Sequence, residues 1–151
     1  MNKKTIIFNV EYLGSDDKIT RKLKLLEEQT LDDLHEAIIY KSFKWDDPHM
    51  YAFYMDNKPY SQNRKMEYHC SPEGEMDFFG EGKPNSTNTK LKELNLKKKQ
   101  KFLFVFDFGD DHMFSIKIED FSQAREGIKY PVILEQIGKA PEQYEDFDED
   151  E

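Results

Sequence analysis

The stretch Phe102-Leu103-Phe104-Val105-Phe106 is the strongest indicator of the fold in this sequence. An uninterrupted apolar run of this kind is typical of a β-strand that is buried on both faces, and such strands lie inside a sheet. The turn-forming residues Asp107-Phe108-Gly109-Asp110 follow it, and Phe114, Ile116 and Ile118 then alternate with polar residues. We therefore predict a central strand at 102–106 that forms a hairpin with the next strand.

The N-terminal part of the chain predicts another hairpin and one helix. Residues 5–12 and 19–26 alternate apolar and polar side chains, with a Gly-Ser-Asp-Asp turn between them. Thr30 is a preferred helix N-cap residue, and Leu31 begins a pattern of apolar residues at helical spacing. The helix is predicted to end near residue 41 or 42, before Trp45-Asp46-Asp47-Pro48.

Further strands are predicted at 49–55, at 66–68 and at 130–134, where Pro131 favours an edge position. The order of hairpin, helix and strands favours an α+β fold that is β-grasp-like, with a mixed sheet packed on one main helix.

The domain is predicted to span residues 1–142, with a long irregular connection at about 57–88 that is rich in proline and glycine. Residues 143–151 are predicted to be a disordered acidic tail, because seven of the last ten residues are acidic and repel one another. Most of the net charge of −9 lies in this tail, so the body of the domain is close to neutral.

Composition limits the class of protein. The chain of 151 residues fits one domain, and its single cysteine, Cys70, excludes an intramolecular disulfide bond and favours a reducing compartment. It contains neither a signal peptide nor an apolar stretch of transmembrane length, so we expect a cytoplasmic protein with no membrane partner. The sequence lacks phosphate-binding loops, nucleophile elbows and paired-cysteine motifs.

Three blocks of sequence resemble those of one protein family. The first runs from residue 30 to residue 38 and continues through Trp45-Asp46-Asp47-Pro48-His49-Met50. The second is Phe104-Val105-Phe106-Asp107-Phe108-Gly109-Asp110-Asp111, and the third is Tyr130-Pro131 followed by Gly138-Lys139-Ala140-Pro141-Glu142. In this order and spacing they resemble the plasmid Ri ORF-three-like family, which also occurs as a passenger of insertion elements. The resemblance implies a β-grasp-like fold and no specific activity.

Histidines and aspartates within or near these blocks form a candidate polar cleft. They are His35, Asp47, His49, Asp107, Asp110 and His112. Imidazole and carboxylate groups are the ligands that transition metals use in proteins, so a metal site is one interpretation. Hydrogen-bonded structural groups are the other, because the spacing matches no tight metal-binding motif. We predict no cofactor and identify no catalytic residue from the sequence.

A lysine-rich segment before the central strand forms a candidate basic surface. Its members are Lys97, Lys98, Lys99 and Lys101. A basic surface of this kind favours nucleic-acid binding, whereas a solvated lysine loop is the ordinary interpretation.

We expect a non-enzymatic module that binds another protein through an exposed sheet edge or the polar cleft. The alternatives are a nucleic-acid accessory protein linked to mobile elements and a metal-dependent enzyme that uses the histidines and aspartates of the cleft. The sequence does not determine the oligomeric state.

Overall fold

The computed structural model describes residues 3–77 and 82–144. Within these residues the chain forms one mixed sheet of eight strands and one main helix of 12 residues, which confirms the predicted α+β class. The strands are β1 (Lys4–Tyr12), β2 (Thr20–Leu26), β3 (Tyr51–Tyr54), β4 (Glu67–His69), β5 (Asn85–Ser86), β6 (Lys101–Phe106), β7 (His112–Gln123) and β8 (Val132–Ile137). Their order in the sheet is β5-β4-β3-β6-β7-β1-β2-β8.

Strand β6 lies inside the sheet between β3 and β7, and it is buried on both faces as predicted. Its phenylalanines face the main core that the helix covers; they are Phe102, Phe104 and Phe106. Leu103 and Val105 face the opposite side, where they belong to a smaller buried cluster. Burying one such ring stabilises the fold by roughly 2 kcal/mol relative to leaving it exposed, so the apolar run of β6 fixes the centre of the sheet.

The main helix, α1, begins as an α-helix at Leu31–Glu36 and continues without a break as π-helical turns at Ala37–Ser42. Thr30 caps it: its hydroxyl accepts a hydrogen bond from the Asp33 amide, and the Asp33 carboxylate accepts one from the Thr30 amide. This reciprocal capping box satisfies two amides that a helix N-terminus leaves without partners. The predicted start and end of the helix are both confirmed.

The N-terminal hairpin is also confirmed, because β1 and β2 pair antiparallel along their length. Strand β1 pairs on its other side with β7, and the register shifts between Ile7 and Phe8, where the pairing passes over Glu119. Strand β7 is longer than the alternating residues 114–118 suggested, since it follows β1 to Gln123 beyond this bulge. Edge strand β8 pairs with β2 and begins directly after Pro131.

The connection predicted at about 57–88 contains more regular structure than its composition indicated. Strand β4 pairs antiparallel with β3 and corresponds to the strand predicted at 66–68. Strand β5 is not predicted; it pairs parallel with β4, which makes the sheet mixed. Two short 3-10 turns, Arg64–Met66 and Pro72–Gly74, flank β4. These elements bring side chains from the connection onto the face of the sheet opposite the helix.

The predicted disordered tail begins differently from expectation. Gln143 and Tyr144 lie against the loop that precedes β3, with hydrogen bonds described below. Residues 145–151 lie outside the described residues.

Among the described residues, none of the helical segments has the length and hydrophobicity that crossing a bilayer requires.

Candidate functional site

The turn between β6 and β7 holds the first aspartates of the candidate site. Asp107 has a left-handed backbone (φ 68°), which short polar residues tolerate better than most. One carboxylate oxygen of Asp107, Oδ1, accepts hydrogen bonds from the amides of Gly109 (3.1 Å) and Asp110 (3.4 Å). This local turn fixes the Asp107 side chain and leaves its other oxygen, Oδ2, free for a further contact.

Asp107, Asp110 and His112 bring their side chains together at this turn. One ligand atom from each residue lies within 4.8 Å of the other two. Asp107 is buried, His112 is half-buried and Asp110 is exposed, so the cluster has a protected side and an open side. Two carboxylates and an imidazole at this separation are a mixed oxygen and nitrogen ligand set of the kind that binds divalent cations.

His112 lies at the start of β7, against aromatic side chains of the core. Its Nδ1 atom is 3.0 Å from the Tyr12 hydroxyl, and the Trp45 ring is 4.5 Å away, measured between centroids. Its Nε2 atom is buried and makes no hydrogen bond with any described residue. Burial lowers the pKa of His112, opposed by the carboxylates of Asp110 and Asp107. The neutral ring is the form that ligates a metal.

The loop before β3 is held by the C-terminal segment, residues 141–144. The Trp45 indole donates a hydrogen bond to the Pro141 carbonyl oxygen at 2.8 Å. The Gln143 amide group donates to the Asp47 carbonyl oxygen at 2.8 Å and accepts from the Asp47 amide at 3.2 Å. The two chain segments, almost one hundred residues apart, are thereby fixed against each other beside the aspartate turn.

His49 connects this loop to the aspartate turn. Its Nε2 atom lies 3.5 Å from Oδ2 of Asp47 and 3.5 Å from Oδ2 of Asp107. The same atom is 2.6 Å from the Tyr144 hydroxyl, which donates a hydrogen bond to the Asp47 carboxylate. That bond raises the pKa of Tyr144 to about 12. Oδ2 of Asp107 therefore lies beside His49, although Nε2 of His49 already bonds to the Tyr144 hydroxyl.

The structure thus brings five of the six residues of the predicted cleft to one end of the sheet. They are Asp47, His49, Asp107, Asp110 and His112.

The sixth residue, His35, lies in the core instead. Its ring stacks on Tyr51, with centroids 3.6 Å apart and planes 5° apart, and it is 4% exposed. Neither ring nitrogen makes a hydrogen bond with a described residue. Burial lowers the pKa of His35 to about 4, with the nearby Asp32 carboxylate acting in the opposite direction. Helical periodicity places His35 on the buried face of α1, which explains why it does not reach the cleft.

A second cluster, not anticipated from the sequence, lies on the face of the sheet opposite the helix. Glu67 and His69 project from alternate positions of β4, and Glu75 reaches them from the loop that follows. Their ligand atoms also lie within 4.8 Å of one another. The Arg64 guanidinium is 3.2 Å from Glu67 and 3.3 Å from Glu75. The alternate spacing of Glu67 and His69 fits the strand predicted at 66–68, but the sequence does not show that Glu75 reaches them.

The hydrogen bond at His69 decides which of its nitrogens carries a proton. The Ser71 amide donates to Nδ1 of His69 at 2.8 Å, so Nδ1 has no proton and the neutral ring is protonated at Nε2. A metal at Nε2 would need that proton removed. At His112 the partner is a hydroxyl, which can accept from Nδ1 and leave Nε2 free. The Asp107–Asp110–His112 cluster is therefore the better metal centre of the two.

The predicted basic surface lies at the opposite end of β6 from the aspartate turn. Lys97, Lys98 and Lys99 are exposed in the turn before β6, and Lys98 lies 3.6 Å from Asp120. Lys101 is also exposed and pairs across the sheet with Lys117, which extends the basic area. Nucleic-acid binding by this surface stays a prediction.

The family of the chain follows from its sequence. The family model described as plasmid pRiA4b ORF-3-like protein matches residues 4–148. The chain belongs to this family. The match confirms the resemblance drawn from the three sequence blocks, and it includes both histidine clusters of this ORF-3-like protein.

A solved structure has the same fold as this ORF-3-like protein. It is the crystal structure of a protein of unknown function from Methanosarcina mazei Go1, with a TM-score of 0.70 and 24% sequence identity. The alignment covers 95% of this chain and 74% of the archaeal one, and at this identity it shows the fold alone. Among curated proteins, none is significantly similar in sequence.

Proposed function

We propose that this ORF-3-like protein is a divalent-metal-binding domain whose ligands are Asp107, Asp110 and His112. The observation that supports the proposal is the convergence of two carboxylates and a neutral imidazole within 4.8 Å of one another. The second observation is that the buried Nε2 atom of His112 makes no hydrogen bond with a described residue, whereas the other ring nitrogen, Nδ1, bonds to the Tyr12 hydroxyl. A ligating histidine usually has such a partner at its other nitrogen.

The ligand set favours a borderline cation over magnesium or calcium. Imidazole suits zinc and iron, whereas carboxylates suit manganese, so a mixed set fits Mn²⁺, Fe²⁺ or Zn²⁺. His49 is the fourth ligand in this proposal: its Nε2 atom lies 3.5 Å from Oδ2 of Asp107, and the proton that Nε2 donates to Tyr144 would have to move to Nδ1 when a cation binds. Because Asp110 is exposed, a metal ion bound there would have a coordination position open to water or to a substrate oxygen, as an open metal site requires.

An open centre of this kind supports the metal-dependent enzyme among the alternatives raised by the sequence. A bound divalent cation lowers the pKa of its water toward neutrality and polarises a substrate oxygen. The reaction and the substrate class do not follow from the ligands. Metal binding is therefore the part of the proposal that an experiment should test first.

Titration of the protein with Mn²⁺, followed by electron paramagnetic resonance, tests the proposal. We expect saturable binding of one ion, and a rise in melting temperature with Mn²⁺ or Zn²⁺ by mass action. Asp110→Asn should weaken binding by at least roughly tenfold, since even changes outside the ligand set cost this much. Asp111→Asn is the matched control, because the Asp111 carboxylate bonds to Tyr60 instead.

The proposal fails if neither Mn²⁺, Fe²⁺ nor Zn²⁺ binds in a saturable manner. It also fails if Asp107→Asn and Asp110→Asn leave the affinity unchanged while both variants keep the wild-type fold by circular dichroism.

A protein-interaction module is the second candidate, and strand β8 favours it. This strand is at one edge of the sheet, and its Leu134 and Ile137 side chains are 45% and 42% exposed. An edge strand with apolar side chains is suited to strand addition by a partner. Retention of a partner should survive nuclease and moderate salt, and Leu134→Lys combined with Ile137→Lys should abolish it.

Retention that is lost on nuclease treatment would favour the nucleic-acid accessory protein instead. In that case exchange of Lys97, Lys98 and Lys99 for glutamate should remove binding, and affinity should fall steeply with salt. The assignment to the β-grasp class and a cytoplasmic location stay predictions, supported by the hairpin–helix–strand order and by the single cysteine.

A further inference from the structure

A pocket of about 290 Å³ lies on the face of the sheet opposite the helix, and none of the proposed metal ligands lines it. Three aromatic rings line it: Tyr60 lies 6.1 Å from Tyr54 and 5.9 Å from Phe108, measured between centroids. The planes within these two pairs are inclined by 59° and 67°, so the rings form walls that face the pocket at different angles. Aromatic walls of this kind suit a flat ligand.

His69 presents an unused hydrogen-bond donor to this pocket. It is 1% exposed, lines the pocket, and its Nε2 atom makes no hydrogen bond with any described residue. Because the Ser71 amide donates to Nδ1, the proton of the neutral ring is on Nε2. Burial lowers the pKa of His69, which keeps the ring neutral. A buried N–H group without a partner costs free energy, so a ligand acceptor would relieve that cost.

Beside this donor lies a fixed acceptor. The Glu75 carboxylate approaches Nε2 of His69 to 3.4 Å, beyond a well-formed hydrogen bond. Arg64 holds Glu75 at 3.3 Å and Glu67 at 3.2 Å, and it donates a further hydrogen bond to the Met76 carbonyl oxygen at 3.0 Å. Charge-assisted bonds of this type restrict the carboxylates to one orientation. The pocket wall therefore offers a donor and an acceptor side by side.

We propose that this pocket binds a planar heteroaromatic molecule that has a hydrogen-bond acceptor next to an amino group, as nucleobases do. The acceptor pairs with the Nε2 proton of His69, the amino group pairs with the Glu75 carboxylate, and the ring packs against Tyr60 and Phe108. Glu67 and Arg64 serve as positioning residues that keep Glu75 in place. The pocket contains none of the proposed metal ligands, although Phe108 belongs to the same turn as Asp107 and Asp110.

The hydrogen-bonding groups of the pocket exclude two simpler ligands, a metal ion and a simple ammonium ion. A metal ion would compete with the proton on Nε2 and with the Arg64 guanidinium, which already pairs with both carboxylates. A simple ammonium ion would satisfy Glu75 and the aromatic rings but leave the His69 donor without a partner. A ligand edge with both an acceptor and a donor satisfies each group.

Titration with 2-aminopyrimidine, followed by ¹⁵N NMR of the histidine rings and the backbone, tests the proposal. We expect saturable shifts at the Nε2–H group of His69, with a dissociation constant of about 1 mM for so small a fragment. Pyrimidine lacks the amino group and benzylamine lacks the acceptor, so each should bind at least severalfold more weakly. Equal shifts with all three compounds, or none that saturates up to about 10 mM, would overturn the proposal.

Two variants make the assignment specific. Glu75→Gln should weaken 2-aminopyrimidine binding by roughly tenfold, since it exchanges a charged acceptor for a neutral amide. Glu73→Gln, on an exposed carboxylate two residues away, is the matched control and should bind like the wild type. His69→Phe should abolish binding. If His69→Phe fails to fold, the Glu75 pair alone decides, and equal affinity in the two glutamine variants contradicts the proposal.

The same chemistry can come from a free heterocycle or from a base in single-stranded nucleic acid. Cytidine and a single-stranded dC oligonucleotide distinguish the two, because both present an acceptor nitrogen next to an amino group. Tighter binding of the oligonucleotide that weakens with salt identifies nucleic acid as the source. Equal, salt-insensitive binding identifies a free ligand, and absence of binding by both would contradict a nucleobase-like ligand.

Discussion

The two histidine clusters have similar composition but opposite chemistry. Each combines two carboxylates with one histidine whose ligand atoms lie within 4.8 Å of theirs. His112 has a tyrosine hydroxyl at Nδ1, whereas His69 has a backbone amide there. A hydroxyl can accept a hydrogen bond from a protonated Nδ1, whereas a backbone N–H group can only donate one. His112 can therefore present an unprotonated Nε2 to its surroundings, and His69 presents an Nε2–H group. Composition and spacing alone therefore do not identify a metal site.

Charge separates the two clusters further. Arg64 pairs with both carboxylates of the Glu67–His69–Glu75 cluster. The Asp107–Asp110–His112 cluster has no arginine or lysine among its described ion-pair partners, and His49 lies 3.5 Å from its Asp107. The charge of one cluster is thus partly compensated by a cation of the chain, whereas the other cluster retains the negative charge that attracts a metal ion.

The largest expected effect concerns His35. This histidine is buried but, unlike the other two, has neither a hydroxyl nor an amide partner at its ring nitrogens. Because burial lowers its pKa to about 4, the folded protein binds fewer protons than the unfolded chain between about pH 6.5 and pH 4. The stability that this residue contributes is complete above pH 6.5 and falls by about 3 kcal/mol as the pH drops from 6.5 to 4. His35→Phe should remove this acid-induced loss.

Denaturant unfolding of wild type and His35→Phe at several pH values checks this. The pair at pH 8 is the control, because His35 is neutral in both states there. An unchanged loss of stability between pH 6.5 and pH 4 in the variant would show that other groups cause the acid sensitivity.

The sequence predicts those elements of the fold for which the local residue pattern and the tertiary packing agree. The apolar run of β6 and the Thr30 cap are local signals, and both elements formed where expected. The parallel pair of β4 and β5 was not predicted, because β5 has two residues and its existence depends on the partner strand. The sequence underestimates the length of β7 because Asp120 and Ser122 look like loop residues until β1 pairs with them.

The candidate sites show the same division. Asp107, Asp110 and His112 are near in sequence, so a turn brings them together and the sequence could suggest it. His35 is a candidate for the polar cleft because histidine is a common ligand, but it lies on the buried face of α1. The Glu67 cluster was missed because Glu75 reaches β4 only through the fold of the preceding turns. Hydrogen-bond direction at a histidine was beyond any sequence pattern.

The second largest effect tests the compensation of the Glu67 cluster. Arg64→Met should cost about 2 kcal/mol at pH 7, because it leaves the buried Glu67 carboxylate without its ion pair. Burial already raises the pKa of Glu67, so the carboxyl is protonated more readily in the folded state than in the unfolded one. Stability from such a group is present at low pH and is lost as the pH rises, so the cost should be smaller at pH 4.

Thermal and urea unfolding at pH 4 and pH 7 measure the difference. Lys22→Met removes a more exposed ion pair with Glu119 and is the matched control, with an expected cost below about 1 kcal/mol. Equal costs for the two variants at pH 7 would mean that Arg64 does not compensate a buried charge.

A third prediction tests the hydroxyl partner of His112. Tyr12→Phe keeps the ring that packs on Phe43 and Phe114 but removes the group bonded to Nδ1. Loss of such an orienting partner should weaken Mn²⁺ binding by roughly tenfold with little change in the fold. Tyr54→Phe, beside the other cluster, should leave the affinity unchanged. Calorimetric titration measures both, and an unaltered affinity in Tyr12→Phe would remove Tyr12 from the metal centre.

The smallest expected effect concerns Tyr144, which competes with the metal for His49. The Tyr144 hydroxyl is 2.6 Å from Nε2 of His49 and also bonds to Asp47, so His49 is occupied when no metal is bound. Binding of a cation by His49 requires that exposed hydrogen bond to break, which costs little. Tyr144→Phe should therefore raise the Mn²⁺ affinity by about threefold. Tyr130→Phe is the control, since the Tyr130 hydroxyl accepts a hydrogen bond from the Arg125 amide and not from this loop. A fall in affinity in Tyr144→Phe would show instead that Tyr144 positions His49 for the metal, and no change would place His49 outside the ligand set.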